Sequence, residues 1–361
     1  MAPSRRPWTP SARGCGAATE SLPDARAGSV FDWACRVASI AAILFATGQP
    51  AAAHVKWFCA YNVSAAPQPL ASFLDRDFLL LVAVALVIFC MAGLVDRMFI
   101  GRAMIWSIDR VTGVIQGQVP ILMRATYGGF FVALWTAGGI ILTPELTTRV
   151  PWISTLQLVV ALCFVWERTL VVAACGMAGL YSYAVLQYGV FHLLDYPIFL
   201  GAALYFALTG LRRRLWGAVP LDVMRIAAGV TLIWASVEKW GYPQWSYPLF
   251  LTHPAMAMGF TPPYYMMAAG VVEFSLAFAL LGPPLMRRTA AIILASMFAA
   301  AILAFGKIDA IGHAPIIVVL LAVAADPRIG RRWPILLAPA GYTLALTLAI
   351  GAYYGLHAAL F

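Results

Sequence analysis

The sequence predicts an all-α polytopic transmembrane helix bundle of about ten or eleven spans, and three observations carry that prediction. Of the 361 residues, 62% are hydrophobic and 11% are charged, against roughly 25% charged in an ordinary soluble domain. The mean hydropathy is +0.84. Apolar runs of about 17 to 25 residues, the length that crosses a hydrocarbon core of about 30 Å as a helix, recur from end to end. Backbone in lipid must satisfy its own hydrogen bonds, so the runs are read as helices.

In chain order, residues 1–32 carry Arg5, Arg6, Arg13 and Arg26 among Pro, Gly, Ser and Ala without apolar periodicity, the pattern of a disordered cytoplasmic tail. Trp33 to Ala53 is read as a first span, with the apolar core of a signal peptide ending at Ala51-Ala52-Ala53 as the alternative. An extracytoplasmic segment, residues 54–77, follows. Further spans are expected at residues 78–95, 120–142, 152–166, 169–190, 198–211, 223–237, 264–282, 290–305, 311–325 and 335–354.

The basic residues test this order. Arg97, Arg102 and Arg110, then Arg168, then Arg212 to Arg214, then Arg287 and Arg288, then Arg328, Arg331 and Arg332 fall in every second connection. By the positive-inside rule those connections and the N-terminus are cytoplasmic. The formal charge of +9 is thereby used in orientation, and without a Lys/Arg tract or binding signature it gives no reason to expect nucleic acid. The lipid bilayer is the partner. Six cysteines fall in no C-x-x-C or zinc-ligand spacing. Phosphate-loop, H-E-x-x-H and G-x-S-x-G motifs are absent, which removes the usual support for nucleotide-driven transport and hydrolysis.

Two stretches resemble one another. Arg124-Ala-Thr-Tyr-Gly-Gly opens one span and Arg225-Ile-Ala-Ala-Gly-Val another; Glu167-Arg168-Thr169 answers Arg287-Arg288-Thr289, and Asp195-Tyr-Pro197 falls where His313-Ala-Pro315 does. The expectation is a parallel duplication, with four-helix units over residues 120–211 and 222–326 and a final span at 335–354.

The same topology sends His54, His192, Glu238, Lys239, His253, Lys307, Asp309, His313 and His357 to the outer side. Glu273 is the sharpest anomaly, because an acid in mid-span costs about 2.5 to 3.5 kcal/mol on insertion scales and must face the bundle. It suits proton exchange or pairing, and Lys239 is the base that could meet it across helices. Glu238 and Lys239 are adjacent, so they address separate partners. Lys307, Asp309 and His313 are placed on a short connection, where His313 could shuttle protons. His253, Met256 and Met258 form the alternative site, a soft donor set for copper, and His54, which cleavage after Ala53 would expose as an N-terminal amine-plus-imidazole chelate, is a separate metal candidate. Packing by a methionine-rich chain and interfacial anchoring by Lys239 and Trp240 explain the same residues without chemistry.

Arg225, Trp234, Glu238-Lys239, Glu273, Gly282, Arg288 and Gly312-His313-Ala-Pro315 together resemble the pattern of the DoxX-like family of four-helix membrane proteins, over residues 222–326. The resemblance implies a bacterial inner-membrane protein made of two tandem DoxX-like units, the first degenerate and serving as scaffold. It implies association with quinone- or thiol-linked redox processes, with Glu238, Lys239, Glu273 and His313 at the family's polar positions; Asp309 joins them as a candidate through its spacing from His313. No electron-carrying motif is present, so a redox partner protein or a quinone would complete the chemistry. A transporter or copper-handling protein and a structural partner in a membrane complex are the other readings.

Overall fold

The computed structural model describes residues 55–328 and 332–361. The tail at 1–32, the first span or signal segment at 33–53 and His54 lie outside the described residues. The described chain is all-helical, with two isolated β-bridges and no strands. Its helices are α1 (Val55–Phe58), α2 (Arg76–Val95), α3 (Phe99–Gln116), α4 (Val119–Ala137), α5 (Pro151–Cys163), α6 (Leu170–Tyr188), α7 (Val190–Leu193), α8 (Pro197–Gly210), α9 (Pro220–Gly241), α10 (Tyr247–Thr252), α11 (Pro262–Leu280), α12 (Pro284–Phe305), α13 (Lys307–Ala324) and α14 (Leu337–Leu360).

Seven of these are long and apolar enough to cross a membrane, and α5 and α8 are shorter apolar helices. The protein is therefore an integral membrane protein of the all-α polytopic kind. Proline opens α4, α5, α8, α9, α11 and α12, where its missing N–H would in any case have no helical partner. Asp75 caps α2 by accepting from the Phe78 N–H at 2.9 Å. The outward face of α2 is a continuous apolar surface, with Leu79, Leu80, Val84, Val87 and Ile88 exposed, as a lipid-facing helix requires.

Eight helices form a closed circuit. α4 packs on α5, α5 on α6, α6 on α8, α8 on α9, α9 on α11, α11 on α12 and α12 on α13, and α13 returns to α4. The first four and the last four thus follow the same order of neighbours, and α2 and α14 cover the second set from outside. Equivalent arginines repeat one task. Arg124 of α4 donates through Nε to the Phe164 carbonyl at 2.9 Å at the end of α5, and Arg225 of α9 donates to the Leu280 carbonyl at 2.6 Å at the end of α11. Each supplies a donor to carbonyls that a helix terminus leaves without an internal partner.

The arginine-bearing connections gather at one end of the bundle. Arg328 bridges Asp222 and Asp326 at 2.7 Å each, Arg287 reaches Asp326 at 2.9 Å, and the buried Arg288 binds Asp109 at 2.7 Å and the Ala324 carbonyl at 2.7 Å. The Asp109 contact reveals an element the sequence reading treated as a plain connection. Residues 99–116 are the amphipathic helix α3, fastened to the bundle by Arg288 through Asp109 and Thr112. Phe99, Trp106, Val111 and Val114 are exposed along it, the habit of a helix lying in a membrane interface.

Candidate functional site

At the opposite end of the bundle, seven ionisable side chains from four helices and the segment before α8 converge. α9 carries Glu238 and Lys239 on its last turn. Lys239 meets Glu273, from the middle of α11, at 2.7 Å, so the mid-span acid is paired across helices as its cost in lipid demands. The crossing that sets this pair is fixed by Trp240. Its indole is buried against Gly270 and donates to the Met267 carbonyl at 3.1 Å, and a Cβ on Gly270 would stand 2.3 Å from the indole nitrogen.

Asp309 and His313 lie one turn apart on α13. Helical spacing brings Asp309 Oδ2 within 2.9 Å of His313 Nδ1. Lys307, Asp309 and His313 therefore belong to the first turns of a continuous helix, which runs through Pro315, and not to a connection as the sequence suggested. Asp309 is fully buried and its Oδ1 has no hydrogen bond. The His313 ring sits between Trp57 and Phe298, with centroid separations of 5.2 and 4.7 Å. Trp57 reaches this place because residue 312 is glycine, where a Cβ would fall 1.7 Å from the indole ring.

Lys56, one residue before Trp57, is the site residue that sequence reasoning missed. Its ammonium, 1% exposed, bonds both Asp195 and Glu238. Burial alone would lower the Lys56 pKa, but the charges of Asp195 and Glu238 outweigh it and hold the amine above its ordinary range. Asp195 belongs to the first four-helix set, so that set contributes to the site as well as framing it. A second buried group stands nearby: His192, on α7, is driven down to about 4 by burial and by the Lys56 charge. The only advance signal for Lys56 was its place, with Arg76, Arg149, Lys239 and Lys307, among the few basic residues outside the arginine-rich connections.

The segment carrying Lys56 is strapped across this end. Gln68 donates through its side chain to the Trp240 carbonyl at 2.6 Å and through its N–H to Gly241 at 2.9 Å. Tyr242 donates to the Ala65 carbonyl at 2.6 Å, and Tyr354 to that of Gln68 at 2.8 Å. His357, expected at the outer end of the last span, is buried there with Nε2 3.1 Å from the Val63 carbonyl.

Beneath the strap is a cavity of about 290 Å³, close to the lower end of the range for small-molecule sites. Asp195, Glu238, Lys239, Glu273, Asp309 and His313 all line it. Most of the remaining wall is apolar, including Phe199, Leu232, Met266, Met297, Phe298 and Ile316. Such a cavity suits a flat, largely apolar molecule with a polar atom that a Lys–carboxylate pair or an Asp–His pair can address.

The soft donor set is not assembled in the same way. His253 Nδ1 faces Thr252 Oγ1 at 2.9 Å and its ring lies over Phe305. Met256 lines the cavity, while Met258 is 75% exposed on left-handed backbone. Among the described residues no group of three His, Cys, Asp or Glu side chains could hold a metal ion.

No family model, no curated protein and no solved structure matches the chain.

Proposed function

We propose that the protein binds a quinone-type molecule in the cavity beneath the strap and exchanges protons with it, as an accessory or subunit of a redox system in a bacterial inner membrane. The observation that carries this reading is the convergence of two acid-base pairs, Lys239–Glu273 and Asp309–His313, on one mainly apolar cavity. Lys239 supplies a positive charge for a quinone oxygen, and Glu273 and His313 supply groups that gain and lose protons. The apolar wall accepts the ring.

The resemblance of residues 222–326 to DoxX-like proteins supports the same assignment, and so does the repeat of helix order and of the Arg124 and Arg225 contacts, which fits two tandem units. The arginine-rich end is assigned to the cytoplasm by the positive-inside rule, so the cavity lies toward the outer side. The test is complementation of a deletion strain. Glu273→Gln is expected to abolish respiratory-chain or thiol-oxidation activity that wild type restores, at equal membrane abundance. Full restoration by the variant would overturn the reading.

A further inference from the structure

A second cavity, of about 260 Å³, lies on the other side of Lys239 and is built differently. Gln68, Ser72, Asp75, Asp77, Thr261 and Tyr264 contribute to its wall. Ser72, Asp75, Asp77 and Thr261 are exposed, so water and ions reach this chamber. The deeper cavity holds Glu273, Asp309 and His313. Lys239 lines both, and its amine is the group 2.7 Å from the Glu273 carboxylate.

We infer that the polar chamber is a proton vestibule and that Lys239 is the relay between it and the deeper cavity. The inference rests on the acid-base role proposed for Glu273. In the resting ion pair Lys239 holds the extra proton and Glu273 is ionised. Transfer of one proton from the ammonium to the carboxylate leaves a neutral amine and a neutral acid, an exchange favoured when the surroundings disfavour separated charge. The acid then delivers its proton to a basic atom in the cavity, and vestibule water reprotonates the amine. One proton enters and one leaves, and the pair returns to its starting state.

The groups facing this pair agree with a one-way supply. Asp75 and Asp77 concentrate protons at the vestibule wall, while Glu238 and Tyr265 flank Lys239 and Asp309 and His313 stand across the deeper cavity. Lys239 is thus a positioning and relay residue for a ligand that the cavity, not the vestibule, holds.

The test needs no quinone, so its failure and the failure of quinone binding are separate results. Purified full-length protein in detergent is acidified until a carboxylic C=O band absent from Glu273→Gln is seen, and is then switched to deuterated buffer while that band is followed by infrared spectroscopy. Glu273→Gln identifies the band. Exchange is expected to slow about tenfold or more when the vestibule is filled by Thr261→Trp or, as an independent plug on an exposed loop, Ser72→Trp. It is expected to slow comparably in Lys239→Met and in Lys239→Arg, because a guanidinium keeps the charge but does not release its proton. Filling the deeper cavity with Ala301→Trp should leave the rate unchanged. Unaltered exchange in both vestibule plugs, or slowing by Ala301→Trp alone, would overturn the inference.

Discussion

Glu238 and Lys239 are consecutive on α9, yet they belong to different charge clusters: Glu238 accepts from the buried Lys56 while Lys239 meets Glu273 at 2.7 Å. Adjacent helical positions point about a quarter-turn apart, so one helix end ties the strap to the bundle with one residue and addresses the cavity with the other. Lys56 neutralises only one of the two carboxylates it binds. Lys56→Met would leave Asp195 and Glu238 buried together without a cation, which is expected to cost about 3 to 5 kcal/mol. The thermal midpoint in detergent should drop accordingly, and the triple variant Lys56→Met, Asp195→Asn, Glu238→Gln should recover most of it. A wild-type midpoint in Lys56→Met would mean that the strap is held by its other contacts.

Gly312 makes room for Trp57, whose ring lies beside His313. Gly312→Ala is expected to expel the indole from this position, seen as a red shift of Trp57 emission in a variant retaining Trp57 as a reporter. The added methyl should cost about 1 to 3 kcal/mol, as overpacking usually does. Adding Trp57→Leu to Gly312→Ala should restore the stability lost. A larger loss in the pair than in either single variant would show that the two positions are not coupled by contact.

His192 makes stability depend on acidity. Its pKa is about 4 in the folded protein and about 6.5 when unfolded, so between these values the unfolded chain binds more protons. Stability is full above about pH 6.5, declines as the pH falls toward 4, and has lost this contribution below it. The thermal midpoint should follow that slope, and His192→Gln should flatten it. Lys56→Met should move the slope to higher pH, because the Lys56 charge is one of the two causes of the depression. An identical slope in wild type and His192→Gln would reject the assignment.

α3 is expected to be released by a single change at the other end of the bundle. Arg288→Met removes its ion pair with Asp109 and its bond to Thr112. Limited proteolysis should then cut within residues 96–118 faster by about tenfold, the effect of about 1.4 kcal/mol on local opening. Unchanged cutting would show that apolar contacts alone seat the helix.

Where the hydropathy was strong, the fold was legible in the sequence. Spans such as 78–95 and 264–282 coincide closely with α2 and α11, because length and apolarity are what a membrane requires. Lys239 was legible as a candidate partner for Glu273, since a mid-span acid needs a partner and few bases lie on its side, but that the two meet depends on helix rotation, which the sequence does not carry. α3 was missed because Arg102, Asp109 and Arg110 interrupt its apolar residues, and an interfacial helix needs no continuous apolar run. Lys56 was missed for another reason. It is 139 residues from Asp195 and 182 from Glu238, and local spacing carries no information about which distant carboxylates a short segment will cross. Lys307, Asp309 and His313 looked like a connection because polar residues cluster there; they prove to be the first turns of α13.

Direct binding of a short-chain quinone analogue to purified protein tests the central claim most closely. Trp57 lines the cavity, so its quenching reports occupancy. Saturable quenching is expected in wild type, weakened about tenfold or more in Glu273→Gln and in His313→Ala, the loss of one charge-assisted hydrogen bond being worth about 1.5 to 3 kcal/mol. Arg212→Ala, at the opposite end of the bundle, should bind as wild type does. Absence of saturable binding to wild type, or equal affinity in wild type, Glu273→Gln and His313→Ala, would contradict the account.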